Sequence, residues 1–286
     1  MRRLPLLLCF ILLLSCSLQV QDFSGSFSVP PQSPQTSSLR LLVLTDLHIG
    51  KEGIEDARED FLAWLETSNA SYDQILVLGD LTQCGLQYQM DSAKAFLDEA
   101  SRIAGCPYVA LIGNHDIRNG GRRRFESLFG QNTYYTFALG GYSFYVLDTA
   151  SRLVGLQQLQ SLKDTIANDS NRKIALTHMP IYCGIDCIEA SLCDPYERYE
   201  LVRAMEGFDL YLCGHAHYGT SHHYDSSFSE LTFPTFCGID RIFESQVKWN
   251  ELILDSSCNQ AIWKCFSITK DGSINVEEIE RFFLSD

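Results

Sequence analysis

An α/β fold is predicted for this chain by three observations. Short apolar runs alternate with amphipathic stretches, the runs have strand length, and five of them stop at a residue able to bind a metal. In open α/β sheets the crevice beyond the carboxyl ends of the strands is where ligands bind, so those polar groups converge on one rim. The first run covers residues 41–44, with Asp46 and His48 just beyond it. Helical spacing over 54–67 places Phe61, Leu62 and Leu65 on one face. A second strand, 74–78, ends at Gly79-Asp80, and a helix over 91–103 leads to a third, 108–112. That third strand ends at Gly113-Asn114-His115-Asp116. Runs 134–139 and 142–147 meet at Gly140-Gly141 and read as a hairpin. A helix over 156–167 precedes strand 173–176, which delivers His178, and strand 208–213 delivers Gly214-His215-Ala216-His217. Two further strands, 249–255 and 261–269, are expected to complete a second sheet. No repeat or linker interrupts the chain after residue 39, so 40–286 is expected to be one domain.

Residues 1–17 are expected to be a signal peptide. Arg2 and Arg3 precede an eleven-residue, largely apolar run over 4–14, short for a bilayer span but right for a signal sequence. Residues 18–39, rich in Ser, Pro and Gln, read as a flexible tether. Leu13-Leu14-Ser15-Cys16 resembles a bacterial lipobox, with an unusual leucine before Ser15. Three fates fit this leader: lipidation at Cys16, ordinary cleavage beside Ser15 and Ser17, or an uncleaved apolar anchor. All three export the chain, to the periplasm or a lipid-anchored membrane position in a bacterium and otherwise to the exterior. Membrane contact is expected only through that N-terminal anchor.

Charge and cysteine content narrow the partners. With 22 basic and 36 acidic residues the net charge is -14, which argues against a nucleic-acid polymer. Positive charge must therefore come from metals or from a local run such as 118–124, which holds Arg118, Arg122, Arg123 and Arg124. Eleven cysteines, less Cys9 and Cys16 in the leader, leave an odd number in the mature region, so at least one stays unpaired. Cys183, Cys187 and Cys193 crowd one loop, where a local disulfide fits an oxidising compartment. They lack the fourth partner and the CxxC pair of a zinc site. Cys213 reads as a small buried hydrophobe. Sequons at Asn69 and Asn168 matter only in a eukaryotic secretory pathway.

Taken singly, each candidate ligand has a plain explanation. A lone histidine is usually a surface or satisfied core residue, Asp46 could cap a turn, and Gly79-Asp80 could be a turn pair. Counted together they resist it. The chain has only seven histidines, and five lie in these strand-end motifs beside Asp, Asn or Gly. Oxygen donors mixed with imidazoles suit manganese, iron or zinc.

The ordered set Asp46-x-His48, Gly79-Asp80, Gly113-Asn114-His115-Asp116, His178 and Gly214-His215-x-His217 resembles the signature of calcineurin-like metallophosphoesterases. The resemblance implies a two-sheet β-sandwich flanked by helices and two transition-metal ions. It assigns Asp46, His48 and His217 to one ion, Asn114, His178 and His215 to the other, and Asp80 as the bridge. Two cations about 3.5–4 Å apart would supply hydroxide near neutral pH and neutralise the phosphate it attacks. His115, outside the ligand set, is implied to face the substrate as a catalytic residue that protonates the leaving alkoxide or stabilises phosphate charge. Asp116 either orients a neighbouring imidazole or caps its turn.

Departures from sub-family patterns narrow the resemblance. Ser/Thr phosphatases extend the second motif to Gly-Asp-x-x-Asp-Arg-Gly, whereas this chain reads Gly79-Asp80-Leu81-Thr82-Gln83-Cys84-Gly85. Purple acid phosphatases need a tyrosine where Gln83 stands. Thr45-Asp-Leu-His, Gly79-Asp-Leu-Thr and Leu147-Asp-Thr are similar to the class III cyclic-nucleotide phosphodiesterase group. The expected substrate is a small phosphodiester. A phosphomonoester is the alternative, and a non-catalytic, protein-binding scaffold of the same fold ranks last because every ligand is retained. Arg118 and His223 are candidate substrate contacts. Against this, the 118–124 run also reads as a solvated loop leading into a helix, and His222-His223 as an exposed loop.

Overall fold

Strands that are apolar on every residue form where a sheet is covered on both faces, and this chain builds two such sheets. The structure, a computed structural model, describes residues 24–130, 132–182, 190–224, 228–237, 246–269 and 272–284. The leader, most of the tether's first residues, Cys183 and Cys187 lie outside the described residues.

The first half of the chain alternates β1 (Ser38–Leu44), α1 (Ile54–Thr67), β2 (Gln74–Val77), α2 (Gln87–Ala104) and β3 (Tyr108–Ala110). A 3-10 turn (Arg118–Gly120) then runs into α3 (Gly121–Phe129), and β4 (Tyr135–Leu139) and β5 (Tyr142–Val146) form the expected hairpin. Next come α4 (Leu156–Ile166), β6 (Arg172–Leu176), α5 (Pro195–Ala204), β7 (Leu210–Cys213), β8 (Thr220–His223) and β9 (Ser229–Thr232). The chain closes with β10 (Lys248–Asp255), β11 (Gln260–Ile268) and β12 (Ile274–Phe283).

One sheet has the order β12-β11-β10-β1-β2-β3 and the other β4-β5-β6-β7-β9-β8. Within them β1, β2 and β3 are parallel, as are β5, β6, β7 and β9, so their carboxyl ends point to a common rim. Alternation sorts the side chains into layers. On β1, Leu42 and Leu44 face α1 and α2, while Leu41 and Val43 meet Phe144, Ile174 and Leu210 of the other sheet. A third cluster seats Leu159 and Leu162 of α4 and Leu201 of α5 on the outer face of the second sheet.

Two expectations need correction. The C-terminal strands do not complete the second sheet; β10 pairs antiparallel with β1 and extends the first. The reason is register: Leu252 and Leu254 then fall in the layer between the sheets with Leu41 and Val43. His222 and His223 lie on edge strand β8, paired with β9, not in a loop. Helix α5 was not anticipated, although Asp194 accepts from Glu197 N at 2.8 Å and Pro195 opens the helix, a standard start. Cys193 is a free, exposed thiol and Cys213 is fully buried. Among the described residues no helix is long and apolar enough to cross a membrane.

Candidate metal centre

The rim is built from backbone conformations that side chains rarely adopt. Asp46, His48, Asp80, His215 and His217 all have φ between 47° and 66°. Left-handed non-glycine residues cost energy and persist where surrounding structure fixes them, characteristically at functional sites. The glycines preceding the ligands are there for close approach. A Cβ on Gly79 would lie 2.6 Å from His178 Nδ1, and one on Gly214 would lie 1.9 Å from Thr45 Oγ1.

These turns bring the donors of five strand ends together. Asp46, His48 and His217 form one group, and Asp80, His178 and His215 another, with the ligand atoms of each group within 4.8 Å of one another. A third group of the same size, His48, Asp80 and His115, overlaps both. Asp80 faces both groups with its two oxygens. Oδ1 lies 3.4 Å from His178 Nε2, while Oδ2 lies 3.9 Å from His48 Nε2. Asn114 Oδ1 is 2.9 Å from His178 Nε2, which adds it to the second group. All seven expected ligands are therefore gathered.

The donor set fits metal ions. His48 Nε2 and His217 Nε2 are 3.2 Å apart, and His217 Nε2 is 3.3 Å from Asp46 Oδ1. Ligands about 2.1 Å from one ion, at angles between square and tetrahedral, stand roughly 3.0–3.4 Å apart. Asp46 Oδ1 is moreover buried with no hydrogen-bond partner, the state of an oxygen awaiting a cation. At His178 the second ring nitrogen fixes the first. The Leu78 carbonyl, 2.8 Å from Nδ1, can only accept, so Nδ1 carries the hydrogen and Nε2 offers its lone pair to the site.

Electrostatics give the same picture. Burial opposes ionisation of Asp46, but His217, His178 and His48 together hold its carboxyl below the usual carboxylate range. Asp80 is likewise opposed by burial and pulled down to about 2, chiefly by His178. Burial works to lower His178, yet Asp80 and Asp46 raise it to about 9, while burial brings His48 down to about 4.

His115 stands at the open side, with Nε2 4.0 Å from Asp80 Oδ2 and its side chain 19% exposed. Its Nδ1 lies 2.9 Å from the Gln83 carbonyl, a partner sequence reasoning missed because a backbone carbonyl leaves no mark on residue identity. Asp116 does not orient an imidazole. It accepts from Leu81 N (3.1 Å), Thr82 N (2.8 Å), Thr82 Oγ1 (2.8 Å) and Gly113 N (2.9 Å), so the turn-capping reading holds. Arg118 reaches the Gln83 carbonyl at 3.4 Å and so sits beside His115, and the run that follows enters helix α3. Arg122 pairs with the fully buried Asp148, the acid of the Leu147-Asp-Thr motif. His223 differs from expectation: Ser229 Oγ and Glu280 Oε1 occupy its two ring nitrogens, each at 2.8 Å, which leaves none for a substrate in this arrangement.

A model of the family described as calcineurin-like phosphoesterase matches residues 39–219. The chain belongs to the calcineurin-like phosphoesterase family. As such it is a phosphoric ester hydrolase of a family that uses dinuclear metal sites. A probable cyclic nucleotide phosphodiesterase of Synechococcus sp. is 26% identical over 209 residues, 69% of this chain and 77% of that relative. The expected likeness to the class III group is met there. Among solved structures, a purple acid phosphatase from yellow lupin seeds superimposes with a TM-score of 0.62 at 17% identity. The match covers 91% of this phosphoesterase but only 56% of the lupin chain. A Plasmodium protein described as the anchor in the inner membrane complex gives a TM-score of 0.63 at 17% identity, covering 87% of this chain and 89% of its own. At those identities the likeness shows the fold, and it is the expected two-sheet sandwich flanked by helices.

Proposed function

We propose that this phosphoesterase is an exported phosphodiesterase whose two metal ions share Asp80 and whose His115 delivers the proton to the leaving group. The observation that carries this reading is the Asp80 carboxylate, which faces a ligand of each group through its two oxygens and has His115 on the open side of the second. Asp46, His48 and His217 would hold one ion, and Asn114, His178 and His215 the other. When bound, the pair supplies Lewis acidity to the phosphate and an activated water at neutral pH; manganese, iron and zinc all suit the donors.

The chain's own residues do the rest. His115 holds its Nδ1 hydrogen against Gln83 and presents Nε2 to the substrate side. As the P–O bond breaks, the electron pair stays on the leaving oxygen and the Nε2 proton passes to it. His115 is left neutral, to be reprotonated by solvent. Arg118, beside His115, supplies positive charge for a non-bridging phosphate oxygen. A diester is favoured over a monoester by the likeness to a relative described as a probable cyclic nucleotide phosphodiesterase. Export is proposed from the leader at residues 1–17 and the tether that follows.

A phosphoester panel on manganese-loaded protein tests the reading, with cyclic nucleotides, glycerophosphodiesters, nitrophenyl diesters and monoesters compared. An alkoxide leaves poorly without a proton, whereas nitrophenolate hardly needs one. His115→Asn is therefore expected to cut alkyl-diester turnover by roughly 10²–10⁴-fold and nitrophenyl-diester turnover far less, with metal content retained. Equal losses on both would place His115 on phosphate charge instead, and a preference for monoesters would overturn the diester assignment.

A further inference from the structure

The segment whose carbonyl meets His115 is itself held from several sides. Gln83 N donates to Ile49 O at 2.9 Å, and Cys84 N to Gln89 Oε1 at 2.9 Å. Gly85 N donates to Thr82 Oγ1 at 3.0 Å. Its carbonyls are taken by the turn that follows the His115 motif. Asn119 Nδ2 donates to Cys84 O at 2.9 Å. Arg124 Nη1 donates to Gly85 O at 2.8 Å and to Asn119 O at 2.7 Å, so one guanidinium ties the two residues' segments together. Asn119 holds a left-handed φ of 51°, a conformation asparagine tolerates better than most residues.

We propose that Asn119 and Arg124 are positioning residues that act through the Gln83 carbonyl to fix the tautomer of His115. A backbone carbonyl accepts and never donates, so while it stays on Nδ1 that nitrogen carries the hydrogen. Nε2 is then the ring nitrogen left facing the site, on the side of Asp80. Where a carboxylate would orient such a histidine through its own charge, this chain uses a neutral dipole, and a dipole must be aimed to be effective. The clamp by Asn119 and Arg124 does the aiming. This explains why Arg124, amid a run of arginines, directs its donors to carbonyls. The inference rests on the proton-donor role proposed for His115, but the tautomer is measurable without any substrate.

The test uses full-length, zinc-loaded protein labelled with 15N-histidine, with His115 assigned by its loss in His115→Asn. Long-range proton–nitrogen correlation is expected to show neutral His115 with its hydrogen on Nδ1. Asn119→Gly, which keeps the left-handed backbone accessible, and Arg124→Met are each expected to give a mixture of tautomers, with Arg124→Lys restoring part of the original state. In the same variants the ratio of alkyl- to nitrophenyl-diester turnover should fall about tenfold, a fraction of the full acid contribution. A wild-type tautomer with hydrogen on Nε2, or a tautomer unmoved in both variants, overturns the inference whether or not any diester is hydrolysed. Failure of the diester panel alone would instead count against the proposed function.

Discussion

Asp116→Asn perturbs the joint between two ligand-bearing turns, the one that carries Asp80 and the one that carries Asn114 and His115. All four groups around the Asp116 carboxylate are donors, two on each oxygen. Asparagine can turn its oxygen to Thr82 N and Oγ1, but its amide then faces the N–H groups of Leu81 and Gly113. Each buried N–H left without an acceptor costs about 1–3 kcal/mol, so the substitution should cost roughly 2–6 kcal/mol. For a chain of this size one kcal/mol moves Tm by about 2–4 °C, which puts the expected fall at roughly 4–24 °C. Burial and the neighbouring Asp80 push Asp116 up to about 7, so the comparison belongs at pH 8, where the carboxyl is ionised. Thermal unfolding, with and without manganese, reads the effect. Metal-dependent stabilisation should also shrink, because Asp80 and Asn114 lose their common brace. An asparagine variant within about 0.5 kcal/mol of wild type would contradict a four-donor carboxylate, since the pocket would then have to contain a protonated carboxyl.

Two further outcomes follow from other parts of the chain. Burial raises Glu230 to about 7 despite donors from Tyr224, Tyr182, Ile181 and Cys213, so the folded state holds its proton more tightly than the unfolded state does at about 4.5. Its stabilising contribution is full below about pH 4.5 and is lost as pH rises through 7. Glu230→Gln should remove that slope, worth on the order of 3 kcal/mol at most, and denaturant titrations at pH 5 and 8 that show the same slope in both proteins would contradict it. For the leader, lipidation at Cys16 would make Cys16→Ala move the protein from the membrane fraction to the soluble exported fraction in a bacterial host; unchanged membrane association would rule out a lipid anchor at that residue.

What was legible in the sequence follows from how each feature is encoded. The parallel strands at the centre of both sheets are buried on both faces, so they appear as apolar runs such as Leu41–Leu44 and need no pattern beyond that. The ligands are legible because imidazole, carboxylate and amide side chains do the chemistry themselves. Strand β12 is different: its residues are largely exposed, Glu277 and Glu278 among them, so no alternation marks it. Which sheet β10 joins depends on register against β1, which local composition does not carry. The Gln83 carbonyl and the reach of Asp116 to the Asp80 turn were hidden for a related reason, since both depend on main-chain groups that every residue shares. The role of Glu230 is a matter of placement alone, because Ser229–Thr232 reads as an ordinary half-polar strand and is buried throughout.

Electron paramagnetic resonance of the manganese-reconstituted protein reads whether two ions share one carboxylate. With Asp80 facing His178 through one oxygen and His48 through the other, two manganese ions per chain and the spectrum of an exchange-coupled pair are expected. The spectrum of an isolated ion, with a single equivalent bound at saturation, would contradict it.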